Sequence, residues 1–375
     1  MVTILNSNSQ IDNLYMQRCL QLASCGKYET APNPMVGAVI VCKNRIIGEG
    51  YHIRAGEAHA EVRAVQSVSN HSLLSQSTLY VSLEPCSHWG KTPPCADLII
   101  KVGIPRVVIG SKDPFALVDG TGIQKLQQAG IEVTVGVLQD KCADLNKHFL
   151  TFHSKKRPYI TLKWAQSADG FIDQIREILN PNNPSQKPIV FSTPLTQMLA
   201  HKRRTEHQAI LIGRHTALLD NPSLNSRAWI GQNPLRFIID KDGSLPHTLS
   251  VFNKVIPTFI FCSPETAKRS RNTNSEKKEN SEINPSIETR FIALDFATPI
   301  LPQILAQLHQ MGIQSLLVEG GAQTLQSFID SKLWDVAFIE EGRQLLKSGI
   351  TAPKITGSST EKAFFGQKIK VIMPL

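Results

Sequence analysis

Short apolar runs alternate with amphipathic stretches through the first half of the chain. Val36-Gly37-Ala38-Val39-Ile40-Val41 is an apolar run, and Lys43-Asn44 turns it into Arg45-Ile46-Ile47-Gly48, the pattern of a β-hairpin. Thr78–Leu83, Arg106–Gly110 and Ile131–Val135 predict further strands. Between them apolar residues recur at helical spacing. Leu14, Met16, Cys19, Leu20 and Leu22 follow a candidate cap at Asp12, and Ala60, Ala64, Val65 and Val68 share one face of Glu57–Val68. Cys95–Val102 and Gly122–Ala129 complete the helices. Such alternation predicts an α/β/α layering.

A basic, proline-terminated stretch, His153-Ser154-Lys155-Lys156-Arg157-Pro158, interrupts the pattern, and a second α/β series follows. Its expected strands are Tyr159–Lys163, Ala209–Gly213, Arg236–Asp240, Thr258–Phe261 and Ser315–Glu319, and its expected helices Thr196–Arg204, Pro302–Met311 and Thr324–Ser331. The predicted domains are therefore residues 1–153 and 154–375. Ser263–Glu288 is rich in Ser, Asn, Lys and Glu without a hydrophobic period, and reads as a mobile surface insertion.

At 375 residues with 41% hydrophobic content, the chain is long enough for two domains with ordinary cores. A net charge of +9 and a pI near 9.2 favour anionic partners, such as phosphorylated metabolites, nucleotides or nucleic acid. No run of like charge is long enough to serve as a nucleic-acid arm. The seven cysteines are odd in number and irregularly spaced, which argues for a reducing compartment. Met1–Asp12 is polar, so no signal peptide is expected, and no apolar run is long enough to span a bilayer. The cytoplasm is the expected location.

The first half also carries a metal-and-proton constellation: His59-Ala60-Glu61, then Pro85-Cys86, then Pro93-Pro94-Cys95. One imidazole and two thiolates make three zinc ligands, which leaves a fourth position open for water as in a catalytic site. Glu61, next but one to the first ligand, is free to move protons. This is the donor set of a zinc hydrolytic deaminase, in which activated water attacks a C–NH2 carbon while a glutamate shuttles protons to the departing ammonia. Cys95 opens a predicted helix, where the dipole favours a thiolate. The competing reading is a structural zinc with His88 as fourth ligand.

Eight residues separate the two cysteines, whereas nucleobase deaminases commonly carry Pro-Cys-x-x-Cys. With Gly90-Lys91-Thr92-Pro93-Pro94-Cys95, Asn33-Pro34-Met35-Val36-Gly37 and Gly48-Glu49-Gly50-Tyr51-His52, this spacing resembles the deaminase half of the bifunctional riboflavin-biosynthesis deaminase/reductases. The resemblance covers residues 12–150. It implies a cytidine-deaminase-like α/β/α sandwich with His59, Cys86 and Cys95 on zinc and Glu61 as proton shuttle. Asn33 and His52 would bind the pyrimidine, and Lys91 would lie near its ribosyl phosphate. Each of these three has a local alternative: a turn residue before Pro34, a satisfied loop histidine, a solvated charge.

In the second half, polar and glycine-rich residues cluster after strand ends, where α/β sheets bind ligands. Gly320-Gly321 lets backbone approach a pyrophosphate at a helix start, although a helix-packing turn explains it as well. There is no Gly-x-Gly-x-x-Gly, so no Rossmann site is expected. The segments Leu162-Lys163-Trp164-Ala165-Gln166-Ser167-Ala168-Asp169-Gly170, Gly213–Leu224 and Val318-Glu319-Gly320-Gly321 resemble the reductase half of the same family, whose α/β fold is similar to dihydrofolate reductase. That resemblance implies NADPH contacts at Lys163, Thr216, Asp220, Gly320 and Gly321, and substrate contacts at Ser167, Leu224, Arg227 and Glu319. Arg227 suits a ribose phosphate. One departure stands out: Val190 occupies the place of an expected tryptophan in Lys187–Thr193, with Phe191 beside it as the available ring.

The resemblance thus implies zinc-dependent deamination of 2,5-diamino-6-(5-phosphoribosylamino)pyrimidin-4(3H)-one, then NADPH-dependent reduction of its ribosyl group to ribityl. It also implies a homo-oligomer that acts on a small phosphorylated pyrimidine and not on nucleic acid or membranes. The rivals are a tRNA-type base deaminase with an accessory domain, which the aromatic content of 6% disfavours, a non-catalytic zinc-stabilised binding protein, and a deaminase with an inactive C-terminal half.

Overall fold

The computed structural model describes residues 7–89, 93–113, 120–176, 187–275 and 289–375. The chain divides into two compact units, Met1–Lys156 and Arg157–Leu375.

The first unit runs α1 (Ser7–Ser24), β1 (Gly37–Cys42), β2 (Arg45–Tyr51), α2 (Ala60–Gln66), β3 (Thr78–Leu83), α3 (Cys95–Lys101), β4 (Arg106–Ser111), α4 (Thr121–Gln128), β5 (Glu132–Val135), α5 (Gln139–Leu145) and α6 (Lys147–Lys155). Its five-stranded sheet has the order β2-β1-β3-β4-β5. Strand β1 is antiparallel to both neighbours, and β3, β4 and β5 are parallel. Strand alternation sends Ala38 and Ile40 into a core with α2 and α3, and Val39 and Val41 into a second core with Met16 and Cys19 of α1 and Cys142 of α5. Helices thus cover both faces. Gly37 permits α1 to lie this close, because a Cβ there would sit 2.1 Å from the Cys19 carbonyl oxygen.

Two local expectations change. Asp12 does not cap α1, which begins a turn earlier, at Ser7. Its buried carboxylate accepts the Tyr80 hydroxyl at 2.9 Å and both terminal nitrogens of Arg106 at 3.1 and 2.9 Å, the pairing that burial of an acid demands. Helix α2 starts at Ala60 and not at Glu57, because His59 is extended (φ −70°, ψ 166°).

The second unit comprises β6 (Tyr159–Gln166), β7 (Phe171–Asp173), α7 (Pro194–Thr205), β8 (Ala209–Gly213), α8 (Arg214–Asp220), β9 (Leu235–Ile239), β10 (Thr258–Cys262), α9 (Pro264–Ser275), β11 (Arg290–Ala293), α10 (Ile300–Gln310), β12 (Ser315–Val318), α11 (Ala322–Asp330), β13 (Val336–Glu341), β14 (Ile350–Thr351), β15 (Ser358–Phe364) and β16 (Gln367–Met373). A nine-stranded sheet has the order β11-β10-β9-β8-β12-β6-β13-β16-β15. It is parallel from β11 to β13 and antiparallel through β16 and β15. The direction of winding reverses between β8 and β12, so a ligand crevice is expected outside their carboxyl ends. One face packs on Phe237, Phe261, Ile304 and Phe328, the other on Ile238, Leu218 and Val251.

The expected insertion at Ser263–Glu288 is corrected in its first part: Pro264–Ser275 is helical. The Ser263 hydroxyl accepts the Thr266 N–H, Pro264 suits the first turn, and Ala267 is buried, so a local cap and one anchor replace a hydrophobic period. Residues 276–288 lie outside the described residues. Among the described residues, no helix is long and apolar enough to cross a membrane.

Candidate active site

Three element ends meet in the first unit. His59 stands at the N-cap of α2, Cys86 follows the end of β3, and Cys95 opens α3. Their ligand atoms all lie within 4.8 Å of one another, and among the described residues they form the single such group. His88 does not join them, which removes the four-ligand structural reading. The Nδ1 of His59 is 3.3 Å from the Cys95 sulfur and 3.6 Å from that of Cys86. The helix-end N–H of Cys95 points to the Cys86 sulfur at 3.3 Å. It is therefore Cys86, not Cys95, that the start of α3 stabilises as thiolate. Without metal, hydrogen bonds from Cys95 and His59 pull the Cys86 thiol down to about 4, while the same Cys86 contact and burial push Cys95 up. A preformed thiolate beside an imidazole and a second thiol is a donor set that fits zinc.

Glu61 lies one residue into α2 and is buried. Burial, and then the negative charge of Cys86, raise its carboxyl to about 7. A carboxyl poised near neutrality can both take and give a proton. Glu84, which the sequence reading missed, sets the strand end from below. Its buried carboxylate accepts the backbone N–H groups of Asp113, Gly120 and Ile123 at 3.4, 3.1 and 3.2 Å, immediately before Pro85-Cys86.

Asn33 and His52 are brought together. The Asn33 amide nitrogen is 3.0 Å from His52 Nε2, and His52 Nδ1 is 3.2 Å from the Ala58 carbonyl. Burial lowers the His52 pKa, so the ring is neutral, with Nδ1–H donating to Ala58 and Nε2 accepting from Asn33. Both ring nitrogens are engaged, and the contact fixes the orientation of the Asn33 side-chain amide. Lys91 lies outside the described residues.

In the second unit a cavity of about 400 Å³ is lined by Lys163, Asp220, Leu224 and Arg227 among the expected residues, and by Ser192, His201 and Arg204, which the sequence reading missed. Glu319 reaches this cavity through Arg204, whose Nε and NH2 donate to its carboxylate at 3.2 and 2.6 Å. The Asn225 carbonyl accepts both Arg204 and His201 at 2.9 Å, and the Asn225 side chain accepts Arg227 at 3.0 Å. Asp220 is paired with Arg176, which also holds Asp173. Leu224 has a φ of 51°, a left-handed backbone uncommon outside glycine.

Thr216, Gly320 and Gly321 gather at the crevice between β8 and β12. A Cβ on Gly321 (φ 55°) would meet the Thr216 hydroxyl at 3.1 Å, and one on Gly320 would strike Ile212 at 2.5 Å. Gly320 is thus required by the sheet, while Gly321, at the N-cap of α11, leaves backbone open to an anionic group such as a dinucleotide phosphate. Ser167 is drawn away from the others: its buried hydroxyl donates to Asp169 at 2.6 Å and accepts the Phe171 N–H at 2.9 Å, closing a turn. Val190 is exposed and does not line the described cavity, and Phe191 is turned inward.

A deaminase-type metal cluster on one α/β unit and a ligand crevice on a second are the marks of an enzyme with two sites, one of them of the zinc-deaminase class. Residues 9–111 match the cytidine and deoxycytidylate deaminase zinc-binding region, and residues 158–371 match the RibD C-terminal domain. The chain is 36% identical to the riboflavin biosynthesis protein RibD of Aquifex aeolicus over 364 residues, which cover 96% of this chain and 95% of that one. It is 38% identical to RibD of Bacillus amyloliquefaciens over 87% of this chain and 82% of that one. The crystal structure of a diaminohydroxyphosphoribosylaminopyrimidine deaminase/5-amino-6-(5-phosphoribosylamino)uracil reductase from Thermotoga maritima superposes with a TM-score of 0.80 at 32% identity, over 98% of this chain and 100% of that one. The chain belongs to the RibD family of riboflavin biosynthesis proteins. It is a bifunctional enzyme with a zinc-dependent deaminase domain and an NADPH-dependent reductase domain.

Proposed function

We propose that the first unit deaminates 2,5-diamino-6-(5-phosphoribosylamino)pyrimidin-4(3H)-one and that the second reduces the ribosyl group of the product to ribityl. The observation that carries this reading is the His59–Cys86–Cys95 group with the Glu61 carboxyl buried beside it. His59, Cys86 and Cys95 would hold zinc, which when bound would supply water activated for attack on an amine-bearing ring carbon. Glu61 takes the proton and returns it to the ring nitrogen and the departing ammonia. The Asn33 carbonyl oxygen, held in place by His52, orients the ring by accepting one of its N–H groups, and Lys91 and Arg227 serve the phosphate in the two sites. In the second unit NADPH supplies hydride, and Lys163, Thr216, Asp220 and Gly321 form its cradle, with Gly320 keeping the adjoining turn close to the sheet. Arg204 and Glu319 act as one hydrogen-bonded wall for the ribose, and Leu224 packs against the substrate. Ser167 acts through its turn. The working boundary falls in the basic stretch His153–Pro158, where α6 ends at Lys155 and the compact units divide after Lys156, three residues beyond the expected division of 1–153 from 154–375. A reducing cytoplasm, which keeps Cys86 and Cys95 as thiols, is the compartment this chemistry needs, and the enzyme works there as a homo-oligomer on small molecules, without nucleic acid.

The test is mass spectrometry of substrate incubated with zinc-loaded enzyme, with and without NADPH. Exchange of amine for oxo without NADPH, and gain of two hydrogens with it, is the expected result. Gain of two hydrogens without prior loss of the amine would reverse the order proposed, and no change at all would exclude this substrate.

A further inference from the structure

Lys163 has a carboxylate on each side, and only one of them belongs to the wall described above. On one flank Glu319 follows Val318 of β12, the register partner of Leu162. On the other, β13 pairs Phe338 with Lys163 and Glu340 with Ala165, so Phe338 and Glu340 share the face that carries Lys163. Glu340 is buried. It accepts the hydroxyl of Ser192 at 2.6 Å and that of Thr196. Ser192 lines the large cavity, and Thr196 belongs to the capping box that starts α7. A second, smaller space of about 10 Å³, the room of one water, is lined by Lys163, Thr196, Arg203, Phe338 and Glu340 among others. Lys163 is thus the residue shared by the two spaces.

We infer that Glu340 is a positioning residue for the reduction: it anchors Ser192 at the cavity wall and shares the Lys163 ammonium with Glu319. This rests on the reading that Lys163 faces the bound cofactor or substrate. Glu319 is held in place by two hydrogen bonds from Arg204 and Glu340 by the Ser192 and Thr196 hydroxyls, and both carboxylates favour the charged Lys163, Glu319 the more strongly. The charged groups that face Lys163 are Glu319 from the end of β12, Glu340 from β13, and Arg203 and Arg204 from α7. Burial lowers the Lys163 pKa, the two arginines add to that, and the two carboxylates oppose it. Arg203 is itself stacked on the Phe338 ring, 3.8 Å from its centroid, and so stays on this face. Removing the charge of Glu340 leaves the arginines less opposed and makes Lys163 easier to deprotonate.

The experiment is the pH dependence of reductase kcat/KM in the full chain, measured with deaminated substrate and NADPH from about pH 6 to about pH 10. Glu340→Gln is expected to bring the alkaline fall of kcat/KM to lower pH by about one unit. Glu340→Asp, which keeps the charge, restores most of the profile. Ser192→Ala is expected to leave the profile in place and raise KM for substrate roughly fivefold. Deamination by each variant is the internal control and stays at the wild-type rate. An alkaline limb identical in wild type and Glu340→Gln, or missing from both, overturns the inference. If Glu340→Gln does not fold, a wild-type KM for substrate in Ser192→Ala overturns it. Lys163→Met separates the two readings, because full reductase activity in that variant would mean that the assignment of the cavity, and not Glu340, is at fault.

Discussion

Glu61 and Gly320 show two ways in which one side chain, or the lack of one, is set by its surroundings. Glu61 is held near neutrality by burial and by the charge of Cys86, without touching the role of the three ligands. Glu61→Gln keeps shape and removes proton transfer, so deamination should fall by about 10²–10⁴ or more while zinc content, read by elemental mass spectrometry, stays at the wild-type level. Gly320→Ala should act through packing. Its Cβ would lie 2.5 Å from the backbone and side chain of Ile212, and the reductase unit should lose about 1–3 kcal/mol in denaturant unfolding. The place of Glu61 beside His59 was legible from spacing, since two residues two apart can share one helix start. Arg204 was not. Its partner Glu319 is 115 residues away, and nothing in Lys202-Arg203-Arg204 says which of the three turns inward.

The elements that were easiest to read are the parallel strands, whose burial on both faces makes continuous apolar runs such as Val107-Val108-Ile109 and Leu316-Leu317-Val318. Those left unread carry weaker patterns for a physical reason. In β15, Ser358–Phe364, nearly every residue is exposed, because it is the edge of the sheet, so no apolar alternation is needed. Helix α1 was read with the wrong beginning because Asp12 resembles a cap. Its carboxylate instead ties the helix to β3 through Tyr80 and to β4 through Arg106. Asp12→Asn should leave a half-buried arginine underpaired and destabilise the deaminase unit by about 1–3 kcal/mol, measured as cooperative unfolding at lower urea. Arg106→Lys should cost less, since the contact to one carboxylate oxygen survives.

The hydrophobic clusters of residues 1–156 and 157–375 share no members, so each unit has its own core. A chelator should therefore abolish deamination and lower the unfolding temperature of the first unit, while reduction of supplied deaminated substrate continues unchanged. Stability should also depend on pH through His201 in the second unit. Burial lowers its folded pKa below the ordinary value of 6.5, with the arginines beside it adding to the effect. The folded state then binds fewer protons than the unfolded one, so the contribution is present above about pH 6.5 and is lost as the pH falls through that value. The urea midpoint of the second unit should drop between pH 7.5 and pH 5.5, and His201→Gln should remove that part of the dependence.

The family and the gathering of His59, Cys86 and Cys95 could be read from the chain because they depend on local order: Cys86 and Cys95 lie at strand and helix ends that hydrophobic periodicity already places. The wall of Arg204, Glu319 and Asn225, the pairing of Asp220 with Arg176, and the place of Glu340 beside Lys163 could not. Charged residues carry no periodic signal that names a partner, and only the tertiary fold, built on the strand order β8, β12, β6, β13, brings those residues together.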